Sequence, residues 1–289
     1  MTVLVVGASS QLGLFFLPLI VATGRDVVAL SRTPRADEAG VRWVVGELDQ
    51  MPAEVGTLPG FEAIISFGPL DGLARWLAGA TVAGTPHVIA TSSMSAKWKQ
   101  NSSVASDREI AARLNEGEAL LAESCAARGM PWTVLRPALI YGAGMDKSLS
   151  RITQHALARR VFPLPAARGL RQPVHARDVA QAALAALERP QARNRMFEIG
   201  GGEQLTTADM FRRLRRSLPV FTWPVPIPRL ALALAARCIP SVRGAISRLD
   251  SDQIADNADA IAILGVHPQR FAPVTFVRMV PVGKAKAST

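Results

Sequence analysis

The chain has 289 residues, 49% apolar and 19% charged, a composition that indicates a globular protein and excludes disorder, collagen and coiled coil. Its two cysteines, Cys125 and Cys238, form no C-x-x-C pair, which argues against a disulfide framework or a zinc site and favours a reducing, cytoplasmic location. The net charge of +10 is uneven: residues 1–150 carry 12 basic and 14 acidic side chains (12 − 14 = −2), and residues 151–289 carry 21 and 9 (21 − 9 = +12).

The basic second half has two explanations of about equal weight. A positive field attracts small anionic ligands such as diphosphates, whereas an arginine-rich composition also follows from a GC-rich genome. Nucleic acid is disfavoured as a partner, because the basic residues come with few aromatics and no known nucleic-acid-binding motif.

The apolar amino-terminal segment, residues 1–22, is interpreted as folded structure and not as a signal peptide. It lacks a basic start and is interrupted by Gly7, Gly13 and Pro18. The later uncharged run, residues 218–228, is short and holds four prolines, so the sequence predicts no transmembrane helix.

Short β-branched runs alternate with helical patterns along the chain, which is typical of a parallel sheet covered by helices. The predicted strands are 2–6, 26–30, 41–45, 63–66, 88–91, 132–135 and 196–199. The predicted helices are 12–23, 70–83, 109–128, 149–160, one opening at Asp178, one after an N-cap at Thr206 or Thr207, and 229–238. The tail, residues 283–289, is predicted to be disordered.

The first strand runs into a turn of small residues and then into a helix. Gly7 permits the tight turn, Gly13 lets the helix approach the strand, and Ser10 stands where the middle glycine of the usual fingerprint would be. Exposed amides at such a helix start bind pyrophosphate, so the loop, including Ser9, Gln11 and Leu12, predicts a dinucleotide site. The alternative is a tight turn without a ligand.

The end of the second strand carries a second cofactor signal. Here an NAD enzyme places an acid on the ribose, whereas this sequence has Ser31 and Arg32, with Arg35 close behind. A guanidinium in place of an acid favours a 2′-phosphate, and therefore NADP(H) over NAD(H). The alternative is that Arg32 is a solvated loop residue.

Further motifs follow in order, and with the glycine loop they resemble the extended or atypical short-chain dehydrogenase/reductases, specifically the NAD-dependent epimerase/dehydratase family. The motifs are Gly46-Glu-Leu48, Thr91-Ser-Ser93, Leu135-Arg-Pro-Ala-Leu-Ile-Tyr-Gly142 and Gln172-Pro-Val-His-Ala-Arg-Asp-Val-Ala180. The resemblance implies an α/β fold: a Rossmann-like doubly wound parallel sheet with a small C-terminal substrate lobe. Residues 1–165 would form the NAD(P)-binding domain, and residues 166–289 would return to its sheet and then form the basic lobe.

The resemblance also implies cofactor and substrate contacts. The cofactor positions beyond the glycine loop and the second strand are Glu47, Leu48, Ser66, Phe67, Gly68, Thr91, Pro137, Leu139 and Ile140. Arg171 and His175 fall where the family often contacts its substrate, commonly a nucleotide sugar.

The family's Tyr-x-x-x-Lys pair is absent from this chain. In that pair the Tyr hydroxyl exchanges a proton with the substrate while Lys lowers its pKa. Here the corresponding helix has Ile110 and Leu114 at those places, and the single tyrosine, Tyr141, has Met145 four residues on.

Part of the family's site remains. Ser93 matches the catalytic Ser/Thr of the family, with Ser92 and Ser95 as alternatives, and Lys99 could supply charge or a proton nearby. Tyr141 falls near the nicotinamide in the family's layout. The alternatives are that Lys99 is a solvated loop residue and that Tyr141 only packs in the core. The sequence predicts no metal site.

Two functions stay open at this point. One is an NADP(H)-binding epimerase, dehydratase or reductase acting on a nucleotide-linked or lipid-linked sugar, and the other is a non-catalytic NADP(H)-binding scaffold or redox sensor. A homodimer is left open. The segment 228–237 could also rest on an anionic membrane surface, although packing against the sheet domain explains it more simply.

Overall fold

The structure is a computed structural model that describes residues 1–56, 60–146 and 148–273. The predicted disordered tail, residues 283–289, lies outside these ranges. The strands are β1 (Thr2–Val6), β2 (Asp26–Ser31), β3 (Val41–Val45), β4 (Ala63–Ser66), β5 (His87–Thr91), β6 (Trp132–Pro137), β7 (Ile140–Tyr141), β8 (Val161–Pro165), β9 (Leu170–Arg171), β10 (Val174–His175), β11 (Arg195–Ile199), β12 (Leu205–Thr206) and β13 (Trp223–Ile227). The helices are α1 (Gln11–Val21), α2 (Ala53–Gly56), α3 (Leu70–Gly79), α4 (Ser95–Trp98), α5 (Ala105–Ala126), α6 (Leu149–Arg159), α7 (Ala176–Glu188), α8 (Thr207–Arg216), α9 (Arg229–Cys238), α10 (Pro240–Ser247) and α11 (Ala258–Leu264).

Seven strands form one parallel sheet in the order β11-β6-β5-β4-β1-β2-β3. From β1 the chain builds outward through β2 and β3, and it then returns to the other side of β1 with β4 and continues through β5 and β6. Where the strand order reverses in this way, the carboxyl ends of the strands open a crevice. The predicted α/β doubly wound sheet is therefore confirmed.

Alternation along the strands divides the core into two layers. On β1, Val3 and Val5 pack with α1 and α7, whereas Leu4 and Val6 pack with α3 and α5 on the opposite face. Because both faces are covered, the strand has no solvated side and is a continuous apolar run. This explains why short β-branched segments predict the strands well.

Two helices begin or end at residues other than those predicted, whereas one predicted N-cap is observed. The helix predicted to reach residue 83 ends at Gly79, because Ala80 adopts an extended backbone. The helix predicted to start at 109 begins earlier, at Ala105. Thr206 is confirmed as the N-cap of α8, since its hydroxyl oxygen accepts from the Asp209 N–H at 3.0 Å.

A third apolar cluster lies beyond the sheet. It is formed by Tyr141, Phe162, Leu214 and Phe271 with their neighbours. Beside it β8 and β13 pair in parallel as a two-stranded ribbon, in which the Trp223 N–H donates to the Arg160 carbonyl at 2.7 Å. The ribbon holds four prolines, namely Pro163, Pro165, Pro224 and Pro226.

Helix α9 does not follow the expectation that it packs against the sheet domain. None of its residues is buried, and it packs against α10. The sequence pattern correctly gives its bounds but not its surroundings. None of the helices in the described ranges is both long and apolar enough to cross a membrane.

Candidate active-site cleft

The glycine loop joins β1 to α1 by close backbone contacts. Gly7 has φ +70°, and a Cβ there would lie 2.9 Å from the backbone of Phe67 and Gly68, which follow β4. A Cβ on Gly13 would overlap the backbone of Ala8. Ser10 caps α1, because its hydroxyl oxygen accepts from the Gly13 N–H at 3.3 Å. These contacts hold the start of α1 close to the carboxyl end of β1.

A cleft of about 690 Å³ lies at this edge. Half of the residues predicted for the cofactor line it: Gly7, Ser9, Ser10, Ser31, Arg32, Glu47, Leu48, Phe67 and Gly68. An adjoining hollow of about 430 Å³ shares Ser10, Phe67 and Gly68 and adds Gln11, Leu12, Thr91 and Ile140. The structure therefore brings these predicted positions together around one open space.

Five predicted cofactor positions do not line this space. Gly13 contacts the loop backbone instead, and Ser66 is buried, with its hydroxyl oxygen accepting from the Gly68 N–H at 3.3 Å. Arg35 lies over the Trp43 ring at 5.0 Å. Pro137 and Leu139 belong to the connection between β6 and β7.

The end of β2 presents a cation to the cleft. Arg32 is exposed and lines the space, and Ser31 is buried beside it. Glu47 and Asp49, which follow β3, line the same cleft. Two carboxylates therefore share the cleft with Arg32; Glu47 is a predicted cofactor position, and Asp49 is not.

The end of β5 carries a buried polar network. The Thr91 hydroxyl donates to the Ser66 carbonyl at 3.2 Å, and the Ser92 hydroxyl donates to a Glu118 carboxylate oxygen at 2.5 Å. The same carboxylate forms an ion pair with Arg136, whose Nε donates at 2.8 Å. The Glu118 hydrogen bond and charge raise the pKa of Arg136 against the opposing effect of burial.

The sequence did not predict this ion pair, although both residues lie in segments used to identify the fold. Glu118 marks the helix and Arg136 precedes Pro137 in a family motif, yet nothing in their spacing shows that α5 and β6 bring them together. The sequence signal that could have indicated the pair is an acidic residue on a predicted helix together with an arginine at the end of the strand that follows it. Ser92, which joins the pair to the cleft, lines the 430 Å³ hollow.

The two positions to which the sequence pattern assigns the Tyr-x-x-x-Lys pair lie on α5. Ile110 is half-buried, and Leu114 lines the hollow beside Thr91 and Ser92. An apolar side chain thus forms this part of the wall of the hollow. Ser93, the predicted catalytic serine, accepts from the Ser95 N–H at 3.1 Å and does not line the hollow.

Lys99 is held in a polar cluster between α4 and α5. Its ammonium lies 3.1 Å from a carboxylate oxygen of buried Asp107, which also pairs with Arg248 from after α10. Burial raises the pKa of Asp107, but hydrogen bonds and charge from Lys99 and Arg248 outweigh it, so the pKa is lowered overall. The predicted catalytic lysine is therefore joined to the carboxyl-terminal segment by this cluster.

Tyr141 and His175 pack against each other. Their ring centroids are 5.1 Å apart, and the Tyr141 hydroxyl donates to the Arg270 carbonyl and accepts from the Ala272 N–H. Burial raises the pKa of Tyr141 to about 12. His175 caps α7 through Nδ1, which accepts from the Arg177 N–H at 3.1 Å, and burial lowers its pKa.

Arg171, the other predicted substrate residue, is buried. Its guanidinium donates to the carbonyls of Ser251 at 2.7 Å and Arg248 at 2.5 Å. Burial lowers the pKa of Arg171 to about 10. In the described structure this side chain holds the segment that follows α10.

The comparisons with known proteins agree with this architecture. Residues 80–200 match the model of the NAD dependent epimerase/dehydratase family. The resemblance inferred from the motifs is confirmed, whereas the glycine loop lies outside the matched residues.

A UDP-glucose 4-epimerase of Vibrio cholerae is 26% identical over 117 residues, which are 39% of this chain and 35% of the relative. The aligned segment thus spans about a third of that relative's length. Among solved structures, a UDP-glucuronic acid 4-epimerase from Bacillus cereus, in complex with UDP-glucuronic acid and NAD, superposes with a TM-score of 0.70 at 15% identity, covering 94% of this chain and 95% of that one. A short-chain dehydrogenase/reductase superfamily protein from Agrobacterium tumefaciens with bound NAD gives 0.71 at 17% identity, covering 96% of each chain. These structural likenesses show the fold.

Proposed function

We propose that the protein is a nicotinamide-dependent enzyme of the epimerase/dehydratase kind that acts on a nucleotide-linked sugar. The observation that carries this proposal is the cleft of about 690 Å³, placed where the strand order reverses and lined by the glycine turn. The family domain in residues 80–200 and the fold shared with nucleotide-sugar epimerases support it. A lipid-linked sugar carries the same diphosphate group, and the assay below distinguishes nucleotide-linked from lipid-linked sugars as substrates.

The residues of the cleft fit such a cofactor. Gly7 and the start of α1 would hold the pyrophosphate, because free amides at a helix start attract anions. Arg32 would lie at the ribose of the adenosine half, and Thr91 and Ile140 would border the nicotinamide. When bound, the nicotinamide supplies hydride exchange with a sugar carbon.

Proton exchange needs another group, since Ile110 and Leu114 replace the usual pair. Ser93 backed by Lys99 is the prediction from the sequence. The geometry favours neighbouring Ser92, whose hydroxyl lines the hollow and donates to buried Glu118. In this scheme Glu118 orients the Ser92 hydroxyl, and Arg136 holds the Glu118 carboxylate in place through their ion pair.

NADP(H) is the form of the cofactor that the proposal favours. Arg32 lines the cleft where a 2′-phosphate would lie, and β2 ends without an acid. The solved relatives with bound cofactor contain NAD, so this preference is a departure from them. The preference for NADP(H) requires that the attraction between Arg32 and the 2′-phosphate exceed the repulsion from the Glu47 and Asp49 carboxylates, which line the same cleft.

A binding protein without turnover is the second candidate function. Leu114 favours it, because an apolar side chain in the wall of the hollow gives no proton and holds no ribose hydroxyl. In that case the nucleotide would be structural or sensed.

The test combines binding and turnover on the purified full chain. Binding of NADPH and NADH is measured by calorimetry, and conversion of UDP-, dTDP- and polyprenyl-diphosphate-linked sugars is followed by NMR. We expect Ser92→Ala to lower turnover about 100-fold with an unchanged nucleotide Kd. Ser103→Ala, an exposed serine outside both spaces, is the matched control.

The outcomes separate the alternatives. A loss confined to Ser93→Ala would restore the assignment from the sequence and remove Ser92. Nucleotide binding without conversion of any sugar would support the binding protein. Ile110→Tyr combined with Leu114→Lys gives an independent check, because a scaffold that lacks only the pair would gain weak reductase activity and an enzyme with another route would not.

A further inference from the structure

A continuous stretch near the carboxyl-terminal end leaves large apolar side chains in water. We define the apolar segment as residues 221–239, which comprise β13 and α9 with their flanks. Phe221 is 65% exposed, Trp223 67%, Leu230 73% and Leu234 55%. Exposed apolar side chains that occur singly are ordinary, but a contiguous set marks an interaction surface.

The segment is ordered into a defined surface. The Phe221 and Trp223 rings contact each other edge to face at 5.3 Å. Leu230 and Leu234 are one helical turn apart and so lie on the same face of α9, which has no buried residue. The side chains that would normally anchor a helix to its own protein are therefore directed to solvent.

Arginines outnumber acids around this surface. Residues 210–249 contain eight arginines and no aspartate, glutamate or lysine, and Asp209 and Asp250 flank them. Four of the arginines pair with carboxylates: Arg212 with Asp209 on the same helix, Arg213 with Glu203, Arg229 with Asp250 and Arg248 with Asp107. The other four, Arg215, Arg216, Arg237 and Arg243, have no carboxylate partner among the described residues.

Three of these arginines belong to the apolar segment or contact it. Arg215 lies over the Phe221 ring at 5.5 Å and donates to the Thr222 carbonyl, and Arg237 is in the last turn of α9. Arg243 donates to the Ala236 carbonyl and so joins α10 to α9. Cations thus lie beside both the exposed aromatic pair and the exposed helix α9.

We propose that the apolar segment docks on an anionic lipid surface. A short helix with an apolar face and arginines beside it lies in the headgroup region, where the apolar face enters the acyl boundary and the guanidinium groups meet phosphates. Exposed tryptophan suits the same depth, because its ring is apolar and its N–H is polar. This inference goes beyond the proposed function and does not depend on it.

A second copy of the chain fits the surface less well. A symmetric contact places each patch against itself, so the unpaired arginines of one copy would face those of the other. A lipid surface supplies the opposite charge over the whole area.

The test uses the full-length protein and two kinds of vesicle. One contains phosphatidylcholine alone, and the other contains phosphatidylcholine with phosphatidylglycerol. We expect the protein to float with the anionic vesicles at low salt, less at high salt, and not with the neutral ones. Leu230→Ser combined with Leu234→Ser should weaken the partition at least about tenfold, because two apolar side chains no longer enter the bilayer.

Matched variants separate the two contributions. Met196→Ser and Leu14→Ser remove exposed apolar side chains elsewhere and should leave flotation unchanged. Arg237→Gln combined with Arg243→Gln should weaken flotation with the anionic vesicles and reduce the effect of salt on it. Nucleotide binding should be the same in every variant, which shows that each is folded.

Three results would overturn the proposal. The first is no flotation with anionic vesicles at low salt. The second is equal flotation of the wild type and the Leu230/Leu234 variant. The third is a wild-type dimer in sedimentation that becomes monomeric in that variant, since a second copy would then cover the surface.

Discussion

Two groups of predicted residues differ in how their side chains are used. Most residues predicted to bind a cofactor line open space, as Gly7, Ser9 and Arg32 do. The residues predicted for catalysis and substrate binding make contacts within the protein, as Lys99 does with Asp107 and Arg171 with the segment after α10. A phosphate-binding turn is dictated by local backbone geometry and leaves its ligand side free, whereas isolated polar side chains acquire partners from distant parts of the chain.

The largest expected effect concerns the glycine loop. Gly13→Val places a side chain against the backbone of Ala8 and should weaken nucleotide binding by at least about 100-fold, measured by calorimetry. Gly79→Val, in open space on α3, is the control. Since Gly13→Val could also disturb folding, Ser9→Glu provides a second probe: it puts a negative charge where the pyrophosphate would lie and suits the start of a helix. Unchanged affinity in folded Ser9→Glu protein would show that the diphosphate binds elsewhere.

The next effect concerns the buried ion pair behind Ser92. Arg136→Met leaves the Glu118 carboxylate buried without its cation and should lower the free energy of unfolding by roughly 3 to 5 kcal/mol in urea titrations. Arg212→Met removes one member of an exposed ion pair and should change the free energy of unfolding by less than about 1 kcal/mol. Equal losses in the two variants would mean that the Glu118 carboxylate reaches water and is less buried than the structure indicates.

A smaller effect tests the cofactor preference. Arg32→Ala should weaken NADPH binding by roughly 10- to 100-fold and NADH binding little, because a charge-assisted contact with the 2′-phosphate is lost. Arg35→Ala is the matched control, since that guanidinium lies over Trp43 and outside the cleft. If both cofactors are affected equally, Arg32 has no part in choosing between them.

The smallest effect decides the role of Lys99. Lys99→Met should lower the free energy of unfolding by roughly 1 to 2 kcal/mol at neutral pH, because Asp107 loses a partner. The pKa of Asp107 is lowered in the folded state, so its ion pair stabilises the protein above the unfolded pKa of about 4 and is lost as the pH falls through the lower folded value. The difference between variant and wild type should therefore shrink below about pH 4. A fall in turnover at unchanged stability would instead make Lys99 catalytic.

Local patterns account for most of what the sequence could predict. The glycine spacing, the β-branched strands and Thr206 as an N-cap depend on neighbours a few residues away, and the structure has them as expected. The Ser92–Glu118–Arg136 network depends on α5 meeting the ends of β5 and β6, which no spacing reveals. Helix α9 shows the same limit, because its apolar pattern suits burial in a protein core yet leaves open what, if anything, covers it.

The proline-rich ribbon has a consequence for solubility. Alternate residues of a strand direct their N–H groups to opposite edges, and the Trp223 N–H is directed to the β8 side. The outward positions between Trp223 and Ile227 are then Pro224 and Pro226, neither of which has an N–H. The outer edge of β13 consequently offers no donors on which a strand of another molecule could begin to align. The protein can thus expose Trp223 and Val225 to water while its backbone resists the edge-to-edge stacking that leads to fibrils.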